Sequence, residues 1–505
     1  MKHRKNIIPV ILTILLCLAG CEKKEDETVL TLSQIPAVYL NIDPEEFQKI
    51  NDSENHEYYS YSGTISITVP ENYHTEYSND VLQGTDILEL EYIRGRGNGT
   101  WGADKKPFAI KLKDKADLLG MGENKHWVLL ANRYDETLLR NRLVSYISQQ
   151  LGMEFTPGCI NVDLFVNDEF YGNYSLAERV RIGESRVAID ELKSEDISEP
   201  EITGGYLLRM HPSDDEASEN IISTQLLSFA CADPEFTEGE KGNEQQYSYI
   251  SAFLQDTEDA IYGDDFKNEK GISVEEYIDL RSLADYWWIQ EFTVNYDAFK
   301  TDSTYLYKKR EGKLCFGPVW DFDLTFDGGV ANTDRFSNSS MPWQEYLRAY
   351  HPEYQQILLE EWQKFDQILE EIIKDGGILD RFSEEISASR AADHDRWSLI
   401  DEEGNTFDYD PEEKTADMKN WIIERRAWIN GHLDELFDVY YRLNFYVGDE
   451  LLTFEDVLRH RPLIDYPEAP SIEGKTFVGW KDMDGQLYEE YSLFDKDTDL
   501  YASYE

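Results

Sequence analysis

The chain has 505 residues, of which 41% are hydrophobic and 13% aromatic, so it has ample material for a buried core. Its 101 acidic residues outnumber the 48 basic ones and give a net charge of −53 at pH 7. Because so acidic a surface repels phosphate backbones, we expect no nucleic-acid partner. The five cysteines and nine histidines follow neither a disulfide framework nor the spacing of a zinc site.

The first 20 residues have the pattern of a secretory signal. A basic start precedes an apolar run over residues 7–18, which is shorter than the about 20 residues that cross a bilayer as a helix. The closing residues, Leu18-Ala19-Gly20-Cys21, resemble a bacterial lipobox, which implies cleavage before Cys21 and a lipid on its sulfur. We therefore predict a signal peptide at 1–20, a tether at 21–34, and a protein anchored to the outer membrane or cell surface, outside the cytoplasm.

The next part of the chain, from residue 35 to about 113, is predominantly β by its period-two alternation of apolar residues. The predicted strands are 37–42, 63–69, one in which Leu88, Leu90 and Tyr92 share a face, and one in which Phe108, Ile110 and Leu112 do.

The middle of the chain mixes helices and strands and becomes more helical toward its end. A turn at Asn167-Asp168 is predicted to join two strands into a hairpin, and Ser282 is predicted to cap an aromatic-rich helix. The predicted segments are a helix at 135–151, strands at 159–166 and 172–179, an irregular polar insertion at 191–220, helices within 245–300, two strands within 304–324, and helices within 352–396 and 414–437.

Residues 439–505 are predicted to form a separate small β unit. Pro470 to Trp480 follow the pattern Pro-x-x-x-Gly-x-x-Phe-x-Gly-Trp. This pattern resembles the InlB B-type (Listeria–Bacteroides) repeat, a small module of surface proteins.

A glycine-rich segment with two arginines, Arg94 and Arg96, lies between two predicted strands and contains Gly-x-Gly-x-x-Gly at residues 97–102. Glycines there let backbone N–H groups approach phosphates, although glycine-rich hairpins without a ligand are common. The following strand carries Lys106 and Lys111, a position at which protein kinases hold nucleotide phosphates. Because the alternation puts these lysines on opposite faces, only one of them can point at a nucleotide.

Four aspartates later in the chain are candidates for acid–base or metal chemistry. Asp297 follows an apolar helix, and Asp302, five residues later, can ligate a hard cation. Asp321 and Asp323 lie in a segment predicted to be extended, so their carboxylates would share one side, with the aromatic and apolar neighbours on the other. Mg²⁺ takes one or two carboxylates and completes its shell with phosphates and water.

In chain order, these segments together resemble the CotH (spore coat protein H) kinase family over roughly residues 35–438. The matching motifs are Arg-Gly-x-Gly-Asn-x-Thr-Trp at 94–101, Lys-Lys-Pro-x-x-Ile-Lys-Leu at 105–112, Leu139-Arg140-Asn141, the stretch from Tyr171 to Glu178, Asn295-x-Asp297 and Trp320-Asp321-Phe322-Asp323. The resemblance implies an α+β, atypical protein-kinase-like domain, β-rich first and helical later, that transfers phosphate from ATP to a protein acceptor with Mg²⁺ or Mn²⁺.

The resemblance also implies roles for individual residues. Asp297 is the expected catalytic base, and Asp321, Asp323 and Asp302 are the expected metal ligands. Glu178 is expected in the nucleotide cleft, as an ion-pair partner or near the base. The residues expected to face the nucleotide phosphates are Arg94, Arg96, Asn98, and Lys106 or Lys111.

Two other functions remain open, because a protein outside the cytoplasm meets little ATP. The first is a catalytically inactive, kinase-like scaffold or adhesin with a surface partner, which the C-terminal repeat favours. The second is a carbohydrate-active or glycan-binding protein, suggested by the paired acids and 11 tryptophans. Such a protein would have no use for the upstream glycines and lysines. The distinguishing feature is whether Asp297, Asp321, Asp323 and a lysine converge on one cleft.

Overall fold

A computed structural model describes residues 34–505, apart from 98, 212–220, 237–241, 296, 300, 327–333, 337–340, 398, 401–405, 408 and 460. The predicted signal peptide, Cys21 and Asn98 therefore lie outside the described residues. Within the described ranges, no helix has the length and apolar character needed to cross a membrane. The protein is of mixed α+β class, as predicted.

The N-terminal part is built on an eight-stranded sheet with strand order β2-β4-β3-β1-β7-β8-β6-β5, in which β4 also pairs with β5. Its strands are β1 (Ala37–Asn41), β2 (Tyr59–Ser60), β3 (Thr64–Thr68), β4 (Leu88–Gly95), β5 (Phe108–Asp117), β6 (Glu123–Leu130), β7 (Cys159–Val166) and β8 (Glu169–Glu178). Two helices accompany it, α1 (Pro44–Asp52) and α2 (Arg140–Leu151).

Local sequence patterns account for β5 and for the β7–β8 hairpin. Phe108, Ile110 and Leu112 of β5 are all buried on one face, which confirms the predicted alternation. The hairpin turn is confirmed at Asn167 and Asp168, which have φ values of 52° and 68°. A left-handed conformation at both central positions is the geometry that two-residue hairpins favour.

The prediction for β4 is wrong in one respect, because Tyr92 does not share the buried face of Leu90. The pairing of β4 with β5 shifts register between Leu90 and Tyr92, and the next fully buried side chain is Ile93. A bulge adds one residue to the strand and so moves the following side chains to the other face.

The second half of the protein combines a five-stranded sheet, in the order β10-β11-β9-β12-β13, with most of the helices. The strands are β9 (Tyr206–Met210), β10 (Ile221–Ser223), β11 (Ser228–Asp233), β12 (Tyr305–Lys308) and β13 (Leu314–Phe316), and a short ladder pairs β14 (Leu399–Ile400) with β15 (Thr406–Phe407). The helices are α3 (Glu244–Tyr262), α4 (Val274–Tyr277), α5 (Leu280–Thr293), α6 (Pro342–Tyr350), α7 (Pro352–Ile373), α8 (Ile378–Arg396) and α9 (Pro411–Gly431).

Three further predictions are corrected. The segment 191–220 is not irregular throughout, because β9 lies within it and buries Tyr206 and Leu208. The cap of α5 is Asp279, whose carboxylate accepts hydrogen bonds from the N–H groups of Arg281 and Ser282, so the helix begins before Ser282. Helix α2 begins at Arg140 instead of 135, since the preceding residues fold into a turn around the buried carboxylate of Asp135.

The C-terminal part is a five-stranded sheet in the order β17-β16-β20-β18-β19. Its strands are β16 (Tyr440–Val447), β17 (Glu450–Leu458), β18 (Phe477–Lys481), β19 (Leu487–Tyr488) and β20 (Thr498–Tyr504). It has a hydrophobic cluster of its own, with Phe445, Trp480 and Leu500 at its centre. Two larger clusters underlie the eight-stranded sheet and the helical half.

Candidate functional site

A cleft with a volume of about 500 Å³ is lined by residues of the eight-stranded sheet on one side and of the β9–β13 sheet on the other. Its lining brings together residues that are far apart in the sequence. Six of the predicted site residues are among them: Arg94, Arg96, Asp297, Asp302, Asp321 and Asp323.

Asp321 and Asp323 both line the cleft, but not for the reason that the sequence suggested. Strand β13 ends at Phe316, and Asp321 has a φ of 71°, in the left-handed region that non-glycine residues rarely occupy. As a result Trp320 and Leu324 also line the cleft, and only Phe322 is buried in the core. The predicted division into an acidic and an apolar side is therefore wrong.

The acidic side chains of the cleft influence one another. Asp321 keeps an open side toward the cleft, but the protein atoms around it desolvate its carboxylate and raise its pKa. Nearby Arg96 lowers this pKa, and Asp297 raises it. Desolvation, followed by the charge of Asp321, raises the pKa of Asp323 to about 7. Carboxylates that repel one another in this way are stabilised by an added cation.

Side chains at the start of α2 and just after α5 hold the backbone of the segment from Asp321 to Asp323. At the start of α2, Arg140 donates a hydrogen bond to the carbonyl oxygen of Asp323 at 2.7 Å, and Asn141 accepts one from the N–H of Phe322 at 2.9 Å. Just after α5, the side chain of Asn295 donates to the carbonyl oxygen of Asp321 at 3.4 Å. The segment is thus fixed from both halves of the molecule.

Four arginines line the cleft, and two of them were not predicted. Arg179 follows Glu178 at the end of β8, and Arg209 lies on β9. The period-two alternation of β8 is the signal for Arg179, since it puts that residue on the face opposite to Glu178. Arg209 gave no such signal, because its segment looked irregular.

Three of the cleft arginines, Arg94, Arg96 and Arg179, make no salt bridge with a described acidic residue. This is notable in a chain whose acidic residues are twice as numerous as its basic ones. Arg94 hydrogen-bonds the Nδ1 atom of His56 and a backbone carbonyl, and Arg96 lies over the ring of Trp320. The guanidinium groups are therefore available to an anionic ligand, for which arginine geometry is well suited.

Asp302 lies at the edge of the cleft and contacts cationic side chains. Its carboxylate is 3.8 Å from Arg209 and 3.2 Å from the Nδ1 atom of His211. Its predicted role as a metal ligand stays a prediction.

The structure does not bring Lys106, Lys111 or Glu178 into the described lining of the cleft. Lys106 donates to the carbonyl oxygen of Trp101 at 2.6 Å, and Lys111 pairs with Glu91 at 2.6 Å. Glu178 is buried, where it pairs with Arg186 and accepts a hydrogen bond from the N–H of Gly158. The three aspartates thus converge with arginines instead of a lysine.

The four glycines at the end of β4 and just after it are present for different local reasons. A Cβ atom on Gly95 would lie 2.2 Å from the ring of Trp101, which packs against the backbone at this point. Gly97 has a φ of 87°, and a Cβ there would lie 2.3 Å from the hydroxyl of Thr100. At Gly99 and Gly102 a Cβ would meet nothing within 4 Å. The first two glycines are required by packing and conformation, whereas a side chain at either of the last two would meet no obstacle.

The residues present fit a divalent cation that arrives with a phosphate ligand. Among the described residues, no group of three His, Cys, Asp or Glu side chains is arranged to hold a metal. Asp321 and Asp323 supply two carboxylates, and that of Asp321 accepts no hydrogen bond from another described residue. Because Mg²⁺ commonly takes only one or two carboxylates together with substrate phosphates, this donor set is sufficient.

A small recess of about 50 Å³ continues from the cleft beside Asp321. Its walls combine apolar side chains, among them Leu130, Val144 and Val319, with polar ones such as Asn132 and Asn141. The site as a whole therefore has a charged cleft and a smaller recess of mixed polarity.

These features define a mixed α+β protein with a cleft between two sheets, in which aspartates face arginines. A family model described as CotH kinase protein matches residues 93–429, which is more than half of the chain. The chain therefore belongs to the CotH kinase protein family. The matched range contains the cleft residues from Arg94 to Leu324 and ends before the C-terminal sheet. A comparison with curated proteins finds no match.

Proposed function

We propose that the protein is a kinase that transfers phosphate from ATP to a protein acceptor, using Mg²⁺ or Mn²⁺. The observation that carries this proposal is the convergence of Asp297, Asp321 and Asp323 on one cleft with arginines, three of which make no salt bridge with a described acidic residue. Phosphoryl transfer depends mainly on positioning and on stabilising charge, so a cleft with carboxylates for a metal and guanidinium groups for phosphates has the required parts.

In this proposal the residues of the cleft have distinct roles. Asp321 and Asp323 would hold the divalent cation, which when bound neutralises charge on the phosphates. Arg94, Arg96 and Arg179 would bind the phosphate oxygens. Asp297 would accept the proton of the acceptor hydroxyl, as the catalytic aspartate of kinases does.

The proposal is tested by calorimetric titration of the purified full chain with ATP, with and without Mg²⁺ or Mn²⁺. We expect metal-dependent binding by the wild type, and at least about tenfold weaker binding by Asp321→Asn, since that change removes a charged metal ligand. The matched control is Asp86→Asn, an exposed position outside the cleft lining, which should bind ATP as the wild type does.

A second variant separates binding from chemistry. Asp297→Asn should retain metal-dependent ATP binding and lose phosphate transfer, because only the proton acceptor is removed. Transfer is measured with labelled ATP and candidate acceptor proteins. No ATP binding at millimolar concentration with either metal would contradict the kinase proposal.

An inactive, kinase-like scaffold or adhesin is the alternative function. The specific observation in its favour is that neither Lys106 nor Lys111 reaches the described cleft lining. The failure of ATP to bind, described above, is the result that would support it.

We further infer that the protein acts outside the cytoplasm, held to a membrane by a lipid on Cys21. The support is the sequence pattern of residues 1–21 alone. Replacement of Cys21 by serine should release the protein from the membrane fraction, and an unchanged distribution would contradict the anchor.

A further inference from the structure

We infer that Asn295 and Asn141 are positioning residues for Asp321, and that Asn295 sets the placement of Asp321 relative to Asp297. This inference rests on the proposed function, since it concerns how the carboxylates of the same cleft are held. Asn295 is not among the residues that line the cleft, and Asn141 lines only the recess beside it.

Asn295 joins the two segments that carry the acidic side chains. Its side-chain oxygen accepts a hydrogen bond from the N–H of Asp297 at 3.2 Å, and its side-chain nitrogen donates one to the carbonyl oxygen of Asp321 at 3.4 Å. Both partners are backbone groups with fixed roles, so the orientation of the amide is determined by its surroundings. One buried, planar group therefore links Asp297 to Asp321.

Asn141 links the same segment to the eight-stranded sheet. Its side-chain oxygen accepts from the N–H of Phe322, and its side-chain nitrogen donates to Asn132 at 3.3 Å. The side chain of Asn132 in turn donates to the hydroxyl of Ser175 on β8 at 2.8 Å. The connection thus runs from the strand next to the cleft to the backbone beside Asp321.

The two asparagines hold the same peptide group from its two sides. The peptide between Asp321 and Phe322 gives its carbonyl oxygen to Asn295 and its N–H to Asn141. Rotation of this peptide is therefore restrained, although the left-handed conformation of Asp321 is unfavourable for a residue with a side chain. Loss of either hydrogen bond frees the peptide to rotate, and the Asp321 carboxylate then moves away from its place in the cleft.

The test compares variants of the full chain by calorimetry, with ATP plus Mn²⁺ and with ATP alone. We expect Asn295→Ala and Asn141→Ala to weaken metal-dependent binding by about 10- to 100-fold, as observed for residues that orient metal ligands. Binding of ATP without metal, which depends on the arginines, should change less than about twofold. A loss of stability alone would not produce this difference between the two titrations.

Conservative variants keep the test valid if the alanine variants fold poorly. Asn141→Asp retains the oxygen that accepts from Phe322 but loses the donor to Asn132, so it should weaken metal-dependent binding less than Asn141→Ala does. Asn295→Asp retains the acceptor for Asp297 but loses the donor to Asp321, so it should weaken metal-dependent binding as Asn295→Ala does.

The matched control is Asn268→Ala, which removes another buried asparagine. Asn268 accepts hydrogen bonds from the N–H groups of Lys270 and Ile272 and donates to the hydroxyl of Tyr277, outside the cleft lining. Its loss should lower the melting temperature without changing metal-dependent ATP binding.

The possible failures can be told apart. If the wild type shows no metal-dependent ATP binding, both the kinase proposal and the positioning role are overturned. If the wild type binds and Asp321→Asn does not, but Asn295→Ala and Asn141→Ala bind as tightly as the wild type, only the positioning role is overturned.

Discussion

Asp285 lies on α5 among buried aromatic side chains, and its carboxylate is itself buried. Desolvation raises the pKa of Asp285 from an ordinary value of 3.8 to about 7, although Lys364 and Arg281 lower it and Asp279 raises it. Between pH 4 and 7 the folded protein therefore binds a proton that the unfolded chain has released. Stability contributed by this group is present at low pH and is lost as the pH rises toward 7.

Asp285→Asn should remove this pH dependence. Relative to the wild type, we expect the variant to gain little at pH 4 and on the order of a few kcal/mol at pH 8, since an ionised carboxylate without a partner is no longer buried. The measurement is the free energy of unfolding in urea across this pH range. Asp375→Asn, at an exposed position, is the control, and parallel profiles for wild type and Asp285→Asn would contradict the prediction.

At the scale of single residues, chemical type was easier to predict than placement. The motifs identified Asp297, Asp321 and Asp323, and the structure brings these residues together. The left-handed conformation of Asp321 could not be predicted, because the adjoining peptide is held by hydrogen bonds with Asn141 and Asn295, which are distant in the sequence. The sequence could not show that Lys106 and Lys111 lie outside the described cleft lining, because their partners, Trp101 and Glu91, are determined by the fold.

At the scale of elements, sequence patterns predicted the structure correctly where it depends only on neighbouring residues. The alternation of β5 and the turn between β7 and β8 required only neighbouring residues. Strand β4 departed from its pattern because a bulge depends on pairing with β5. Strand β9 was missed because it is short and flanked by polar residues, and its buried face is defined by pairing with β11 and β12.

Helix α2 shows how an element is held by charge as well as by apolar packing. Arg142, on α2, is 1% exposed. Its guanidinium group contacts Glu76 at 2.8 Å and Glu385, on α8, at 3.2 Å. Removal of the arginine leaves two carboxylates in a poorly solvated position, which is costly.

Arg142→Met should therefore destabilise the protein by about 3–5 kcal/mol, the usual cost of breaking a buried ion pair. The control is Lys113→Met, which removes the partner of Glu89 in an exposed pair across β4 and β5 and should cost far less, because water screens an exposed ion pair. Both values come from urea unfolding at pH 7. Equal losses of unfolding free energy for the two variants would show that the Arg142 contacts do not stabilise the folded state.

At the scale of the whole molecule, the cleft and the C-terminal sheet are separate features. Every described residue that lines the cleft lies between His56 and Leu324, whereas the sheet spans Tyr440–Tyr504 and has its own hydrophobic cluster. The two parts touch through α6, where Tyr350 stacks on Tyr440 and its hydroxyl donates to Asp456 at 3.3 Å. This contact is mainly polar and aromatic, so it gives little reason for the two parts to unfold together.

Trp480→Ala should unfold or loosen the C-terminal sheet without affecting the cleft. The indole of Trp480 is buried against Phe445 and donates to the carbonyl oxygen of Pro467, so its loss should cost about 3–5 kcal/mol within that sheet. We expect calorimetry to show one transition shifted to lower temperature, with ATP affinity within about twofold of the wild type. Met483→Ala, which removes a side chain that is 81% exposed, should change neither. If Trp480→Ala instead lowered every transition and weakened ATP binding, the sheet and the cleft would belong to the same cooperative unit. The parts of such a unit share one unfolding equilibrium, which transmits the loss of a distant core residue to the site.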